Sequence, residues 1–265
     1  MNQPYETIDL QIRDGVAWIV LNRPQAFNAL DLQMAKELFE ISNRLSSDRA
    51  VRCAVLTGSG QKAFCAGGDV AGFGADPPTL DILVREMTTY LHGAVSRFAS
   101  MSAPLIAAVN GVAAGGGLSL VACCDLAVSA EHARYTSAYT QIGLSPDGSS
   151  TYYLSRLIGT RRATELYLTN RVLSAAEALD WGLVNRVVPG AALLDEVGAL
   201  ATQLASGPTR AFGGVKRLML TAHHEGLETQ MERESRSVAE LSMSRDSVEG
   251  VRAFLDKRTP RFTGE

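Results

Sequence analysis

Hydrophobic residues follow two kinds of pattern along this chain, and the first kind is concentrated in residues 1–130. Apolar and polar positions alternate over residues 8–12, and after an Asp14-Gly15 pair an apolar run extends to Leu21. This order predicts a β-hairpin. Other short apolar runs that stop at polar residues or glycine are typical of buried strands; they cover residues 51–58, 104–111 and 125–129.

The second pattern is the 3.6-residue period of amphipathic helices, and it dominates the C-terminal part. Two helices are predicted between the strands, at residues 31–44 with Asp31 as the cap and at residues 80–98. After about residue 148 the predicted helices cover residues 161–168, 175–181, 193–205, 209–221, 225–241 and 248–257. Ser174 and Glu177 form a capping-box pattern. Strands alternating with helices indicate an α/β core with parallel strands.

Composition narrows the class of protein. Of 265 residues, 46% are hydrophobic and 20% charged, as in a globular protein with a sizeable core. The net charge is −3, and charging all four histidines would give only +1 (−3 + 4), so nucleic acid is not an expected partner.

No run approaches the roughly 18 apolar residues of a membrane span. The first fifteen residues are polar and acidic, unlike a signal peptide. We therefore expect no membrane partner and a cytoplasmic location.

Metal and disulfide sites are not predicted. None of the four cysteines forms a CxxC pair, so neither zinc nor a disulfide framework is indicated. His223 and His224 are adjacent on a polar helical stretch with no further ligand nearby, which favours a surface position.

Two glycine clusters raise the question of function. Gly67 and Gly68 follow one predicted strand, and Gly115, Gly116 and Gly117 follow another. If those strands are neighbours in a parallel sheet, both turns lie at its carboxyl edge, where ligand sites of α/β proteins gather. Two bare backbone segments that face each other could aim two N–H groups at one point, as in an oxyanion hole.

Phosphate-binding glycine motifs are the alternative. A P-loop requires a Lys after the second glycine, and no cluster here has one at that spacing. Residues 58–63 read G-x-G-x-x-A after a strand, which is a weak dinucleotide-binding pattern. The following FCAGGD is too rich in glycine to begin a stable helix. The glycines could also serve only to form tight strand-to-helix turns that bind no ligand.

Several longer motifs occur in a recognisable order: LNRPQAFNAL, AFCAGGDV, VNGVAAGGGLSLVACCDLAV, IGLSPDG, LTNRVLSAAEALDWGLVNRVV and VRAFLDKR. With these motifs the chain resembles the crotonase (enoyl-CoA hydratase/isomerase) superfamily along nearly its whole length. The resemblance implies an α/β fold with a crotonase-type ββα spiral core over residues 1–200 and a helical trimerisation region over residues 201–265. It also implies an acyl-CoA thioester substrate, no metal or redox cofactor, and a homotrimer or a dimer of trimers.

The resemblance further assigns binding roles. The N–H groups of Gly68 and Gly116 would stabilise the enolate of the thioester, which explains why side chains are absent there. The implied CoA contacts are Gln25, Ala26 and Phe27 at the adenine end, Ala66, Asp69 and Val70 at the pantetheine, and Phe254 and Lys257 reaching a neighbouring subunit's CoA.

The acid and base residues decide the reaction. Hydratases of this family use two glutamates, and the matching positions here hold Ser119 and Tyr139, neither of which is a carboxylate. Asp147 matches the base of some isomerases, although P-D-G is also an ordinary turn sequence. His92 and Asp147 also match the base and nucleophile of the 4-chlorobenzoyl-CoA dehalogenase branch, but Leu91, Tyr139 and Gly68 depart from it.

The sequence therefore predicts an enoyl-CoA isomerase or a hydratase-like enzyme, with isomerisation favoured. Asp147 moves a proton between carbons, and His92 or Tyr139 assists. The alternatives are hydration on Asp147 alone, hydrolysis or dehalogenase-like chemistry with Asp147 and His92, and an acyl-CoA-binding protein without catalysis. The acyl group is not predicted, because it depends on a loop and helix at residues 73–90.

Overall fold

The computed structural model describes residues 5–73 and 79–265. Within these residues the chain forms a mixed α/β structure, as the hydrophobic pattern predicts. The strands are β1 (Ile8–Arg13), β2 (Val16–Leu21), β3 (Cys53–Gly58), β4 (Ala63–Cys65), β5 (Leu105–Val109), β6 (Val112–Ala114), β7 (Leu126–Ala130), β8 (Arg134–Thr136), β9 (Leu173–Ser174) and β10 (Arg186–Val188). The expectations for the N-terminus and for the pocket-shaping segment fall partly on residues 1–4 and 74–78, outside the described residues.

The helices alternate with the strands in the first half and then follow one another. They are α1 (Leu32–Ser47), α2 (Val70–Phe73), α3 (Leu80–Ser100), α4 (Gly116–Cys123), α5 (Ser150–Leu157), α6 (Thr160–Thr169), α7 (Ala175–Trp181), α8 (Leu193–Ala205), α9 (Thr209–Thr221), α10 (Leu227–Ser242) and α11 (Arg245–Leu255). None of the helices in the described ranges is long and apolar enough to cross a membrane.

The larger sheet has the order β1-β2-β3-β5-β7-β10, and all its pairs are parallel except the predicted hairpin of β1 and β2. Every residue of β3 and β5 is buried, which agrees with their continuous apolar runs. Asp31 caps α1 by accepting a hydrogen bond from the Met34 N–H at 2.8 Å, as predicted. The capping box of Ser174 and Glu177 is likewise present at α7.

A second, smaller sheet has the order β4-β6-β8-β9 and was not predicted. Its strands have only two or three residues each. A strand this short does not complete enough of a two-residue period to show a pattern. Helix α5 was also missed, because its sequence STYYLSRL has several polar residues and it begins after Ser149 in a left-handed conformation.

The C-terminal helices are fixed to the sheet core by a buried lysine. Lys216 of α9 lies 2.7 Å from the Asp125 carboxylate and donates hydrogen bonds to the carbonyl oxygens of Phe98 and Ala103 at 2.9 and 3.1 Å. Helix α8 packs on β3, β5 and β7 of the larger sheet. The boundary drawn at residue 200 therefore falls within a helix of the core, and the division into two regions stays a prediction.

Lys216→Met is expected to lower the free energy of unfolding by about 2 kcal/mol, because it takes the charged hydrogen-bond donor away from the Asp125 carboxylate and from the carbonyl oxygens of Phe98 and Ala103. Burial already raises the pKa of Asp125, and Lys216 opposes that shift. Urea unfolding measures the loss. The matched control is Arg210→Met, at another position of α9. It removes an exposed ion pair with Glu240 and is expected to lower the free energy of unfolding by less than about 1 kcal/mol. Equal losses in the two variants would contradict the role given to Lys216.

Candidate active site

A largely apolar cavity of about 480 Å³ lies where the two glycine clusters meet. Leu30, Phe73, Met87 and Leu91 are among its apolar walls, and its polar lining includes Tyr139, Gln141, Ser145 and Asp147. A larger cleft beside α11 is lined mainly by charged residues that pair with one another, such as Arg258 with Glu249 and Arg245 with Glu265. We therefore take the apolar cavity as the candidate site.

The two glycine clusters face each other, as the sequence predicts, but they follow different strands from those expected. They come directly after β4 and β6, the parallel neighbours of the second sheet, and not directly after β3 and β5. A Cβ atom on Gly115 or Gly116 would lie 3.6 or 3.9 Å from the Gly67 Cα, and one on Gly67 would lie 2.9 Å from the Ala114 oxygen. The 2.9 Å approach requires glycine at position 67, whereas the distances from Gly115 and Gly116 to Gly67 are ordinary contacts. Gly67 and Gly115 also have positive φ angles of 96° and 49°, which favour glycine.

Two backbone N–H groups at this meeting point have no hydrogen-bond acceptor among the described residues. Leu30 pairs with the turn through the Leu30 N–H to the Gly67 oxygen (2.7 Å) and the Asp69 N–H to the Leu30 oxygen (2.8 Å). This pairing leaves the Gly68 N–H without a partner among the described residues. Gly116 is the first residue of α4, so its N–H has no intrahelical acceptor either. Both glycines line the cavity.

The loop expected to contact the adenine lies next to the pantetheine segment. Gln25 and Ala26 belong to a short 3-10 helix, and Phe27 follows it with half of its surface exposed. The Ala66 N–H donates to the Phe27 oxygen at 3.1 Å. Among the expected pantetheine contacts, Ala66 and Val70 line the cavity.

Arg23 joins this loop to Asp69, and sequence reasoning missed it. Its guanidinium donates to the Ala29 oxygen at 2.6 Å and to the Asp69 carboxylate at 2.8 Å. The hydrogen bond from Arg23 holds the pKa of Asp69 below its ordinary value, against the effect of burial. The Asp69 carboxylate is thus already hydrogen-bonded within the protein. Any contact of this residue with CoA would be made by its other atoms. The charged side chain of Arg23 within the LNRP sequence was the available signal.

Asp147 lies at the cavity with two hydroxyl groups beside it. The Tyr139 hydroxyl donates a hydrogen bond to Asp147 Oδ1 at 2.6 Å, and Ser119 Oγ lies 3.0 Å from the Tyr139 oxygen. Burial first, and then the Asp147 charge, raise the pKa of Tyr139 well above its ordinary value. Tyr139 therefore keeps its proton and acts as a donor, whereas the sequence left open whether it donates or only lines the pocket.

His92 takes a different place from that expected of a base. It is exposed, and it is absent from the described residues that line the cavity. Its Nε2 accepts a hydrogen bond from the Gly148 N–H at 3.2 Å, directly after Asp147 in the chain. In this arrangement His92 holds the loop that carries Asp147, and the ring nitrogen nearest to the site is already used.

Phe254 and Lys257 lie outside this cavity. Phe254 is 82% exposed near the end of α11, and Lys257 is exposed just beyond the helix. Neither lines the cavity of its own chain in the part that the structure describes.

One face of α3 forms part of the cavity wall; the sequence analysis attributed the acyl pocket to residues 73–90 without naming the side chains. Val84, Met87, Thr88 and Leu91 line the cavity, and their spacing of three, four and seven residues places them on one side of a helix. That spacing was visible in the sequence. The spacing predicts that one face of the helix is covered, but it does not indicate whether a neighbouring element or a ligand covers that face.

Comparisons with known proteins agree with this architecture. A model of the family described as enoyl-CoA hydratase/isomerase matches residues 11–265. The chain is 39% identical over 260 residues to a Rhodobacter capsulatus protein named probable enoyl-CoA hydratase, covering 98% of this chain and 99% of that protein. It is 37% identical over 262 residues to the 1,2-epoxyphenylacetyl-CoA isomerase of Escherichia coli, covering 98% and 99%. The crystal structure of an enoyl-CoA hydratase from Bacillus anthracis superposes with a TM-score of 0.92 at 33% identity, covering 98% of this chain and 100% of that one.

The chain belongs to the enoyl-CoA hydratase/isomerase family, the crotonase superfamily. The predicted family and the predicted α/β fold with a helical C-terminal part are confirmed. Membership also confirms the prediction of an enzyme that processes acyl-CoA thioesters. These relatives include both a hydratase and an isomerase, so the reaction has to be argued from the site.

Proposed function

We propose that this enzyme shifts a carbon–carbon double bond in an enoyl-CoA thioester. The observation that carries this proposal is the number of carboxylates at the cavity. Among its described lining residues, Asp147 has the only acidic side chain. One carboxylate suffices to move a proton from one carbon to another, whereas hydratases of this family use two to handle water. The positions of those two glutamates hold Ser119 and Tyr139 here.

The N–H groups of Gly68 and Gly116 supply the stabilisation of the intermediate. When the thioester oxygen lies between them, it accepts two hydrogen bonds that strengthen as negative charge develops on it. The loss of one such donor typically costs about 3 kcal/mol at the transition state. Gly116 also begins α4, so the positive end of a helix dipole adds to the field at the oxyanion.

The proton steps balance within the substrate. Asp147 takes a proton from C2 of a 3-enoyl-CoA, and the electrons of that C–H bond form the enolate, with the charge on the thioester oxygen. The charge then returns to re-form the carbonyl, the double bond moves to C2–C3, and C4 takes the proton from Asp147. The reaction is redox-neutral, so it requires no redox cofactor, and the two backbone N–H groups supply the stabilisation of the enolate.

We also propose that the chain assembles as a homotrimer through its C-terminal helices. Several apolar side chains there are largely exposed, including Met243 (85%), Phe254 (82%) and Leu255 (72%). Large exposed apolar side chains in this number favour an interface. In such a trimer, Phe254 and Lys257 would lie near the CoA bound to a neighbouring subunit. Sedimentation equilibrium is expected to give three times the monomer mass, or six times if trimers pair, and a monomer would contradict the proposal.

Product analysis tests the proposed reaction. A 3-enoyl-CoA is incubated with the enzyme, and the products are separated by chromatography and weighed by mass spectrometry. We expect the 2-enoyl isomer at unchanged mass. A 3-hydroxyacyl-CoA, heavier by one water, would identify a hydratase, and free CoA would identify a hydrolase. Binding without any product would favour an acyl-CoA-binding protein.

A further inference from the structure

Three groups from different elements form a connected chain of hydrogen bonds at the wall of the cavity. Ser119 lies on α4, one turn after Gly116, and it is 1% exposed. Tyr139 follows the second sheet, and Asp147 lies in the loop before α5. The links are Ser119 Oγ to the Tyr139 oxygen at 3.0 Å and Tyr139 to Asp147 Oδ1 at 2.6 Å.

Donor counting fixes the direction of these bonds. Tyr139 has one proton, and the short contact to Asp147 Oδ1 uses it. The Ser119 hydroxyl is therefore the donor wherever it bonds, and three oxygens lie within its reach: that of Tyr139 at 3.0 Å and the carbonyl oxygens of Asp147 at 3.0 Å and Gly115 at 3.2 Å. Ser119 thus contacts both the loop of the carboxylate and the turn of the glycines.

The two oxygens of Asp147 are consequently unequal. Oδ1 accepts from Tyr139, while Oδ2 has no hydrogen-bond partner among the described residues. The hydrogen bond from the partly buried Tyr139 hydroxyl to the carboxylate is charge-assisted and restricts rotation of the carboxylate. Oδ2 is then the oxygen available to a substrate proton.

We propose that Tyr139, held by Ser119, is a positioning residue that fixes Asp147 so that Oδ2 alone takes the proton from one carbon and returns it to the other. This inference deepens the proposed isomerase function and rests on it. It predicts that part of the transferred hydrogen stays within the substrate, because a single fixed oxygen carries it and does not rotate toward water between the two steps.

The test follows deuterium in Tyr139→Phe and Ser119→Ala. A 3-enoyl-CoA carrying two deuterium atoms at C2 is isomerised in ordinary water, and the share of deuterium at C4 of the product is measured by NMR and mass spectrometry. The wild type is expected to retain a measurable share. Tyr139→Phe is expected to lower kcat about 10- to 100-fold and to reduce the retained share, with KM within about twofold. Ser119→Ala is expected to lower kcat about three- to tenfold and also to reduce the retained share of deuterium.

Tyr135→Phe is the matched control. Tyr135 is a fully buried tyrosine whose hydroxyl also donates to a serine, Ser129, at 2.7 Å, but this pair does not contact Asp147. Its loss is expected to lower the melting temperature and to leave the retained share of deuterium unchanged. Melting curves of all three variants show whether each one folds.

The outcomes separate the two proposals. A wild type that isomerises while both site variants keep its kcat and its deuterium retention would overturn the positioning role. So would a rise in KM at constant kcat, which would mean that Tyr139 only lines the cavity, or isomerisation by the wild type with no deuterium at C4. A wild type that forms no isomer at all would instead overturn the isomerase function, and the positioning role with it.

Discussion

Asp147→Asn is expected to lower kcat for a 3-enoyl-CoA by about 10²- to 10⁴-fold, the usual contribution of a general acid–base residue. The amide cannot take up a proton from carbon, but its oxygen can still accept the hydrogen bond that Tyr139 donates to Oδ1. The loop and the cavity should therefore keep their shape. Steady-state kinetics measures the loss, and calorimetry with a non-reactive acyl-CoA measures whether binding is preserved.

Asp9→Asn makes the same chemical change at an exposed strand residue, whose side chain accepts a hydrogen bond from the Asn22 side chain. It should keep the wild-type rate. An Asp147→Asn enzyme that folds, binds and turns over at the wild-type rate would refute the role of Asp147 as the base. A loss of binding in parallel with the rate would instead mean that the carboxylate supports the cavity.

Gly117→Ala is expected to have the largest effect on stability. A Cβ atom on Gly117 would lie 2.0 Å from the Cys65 carbonyl oxygen and 2.8 Å from its carbon, and both are backbone atoms of β4. Because backbone cannot rotate away as a side chain can, α4 would have to move off the strand. We expect a loss of more than about 4 kcal/mol in the free energy of unfolding, or failure to fold. Urea unfolding or the yield of folded protein measures it.

Gly198→Ala is the control for this prediction. Gly198 lies within α8, and the nearest atom to a Cβ there, Trp18 Cζ2, is 4.0 Å away. The added methyl group meets no clash and raises helix propensity, so this variant should be more stable by up to about 1 kcal/mol. If the two substitutions changed stability equally, the close approach of α4 to β4 would not be what requires glycine at position 117.

The elements that were predicted correctly are those with enough length to show a period. The hairpin, the buried strands of the larger sheet and helices such as α7 and α8 agree with their apolar patterns because burial selects the same side chains that define the period. The second sheet has no such signal, yet it positions both glycine turns. Glycine spacing showed that a close approach was needed, and the short strands supply it.

The candidate site was predicted in part. Residue types and the family resemblance indicated Gly68, Gly116 and Asp147, and all three line one cavity. The hydrogen bond between Tyr139 and Asp147 joins residues eight apart in the chain, and that between His92 and Gly148 joins residues 56 apart. Such pairings depend on how loops and helices meet in three dimensions. Hydrophobic periodicity carries no information about them.

The most direct test of the account is isomerisation by the wild-type enzyme in deuterated water, followed by mass spectrometry of the product and of the remaining 3-enoyl-CoA. Proton transfer through an enolate predicts a 2-enoyl-CoA without added water, with solvent deuterium appearing only at C2 and C4. A 3-hydroxyacyl-CoA as the main product would contradict the account, because the single carboxylate would then be handling water and not a proton between carbons.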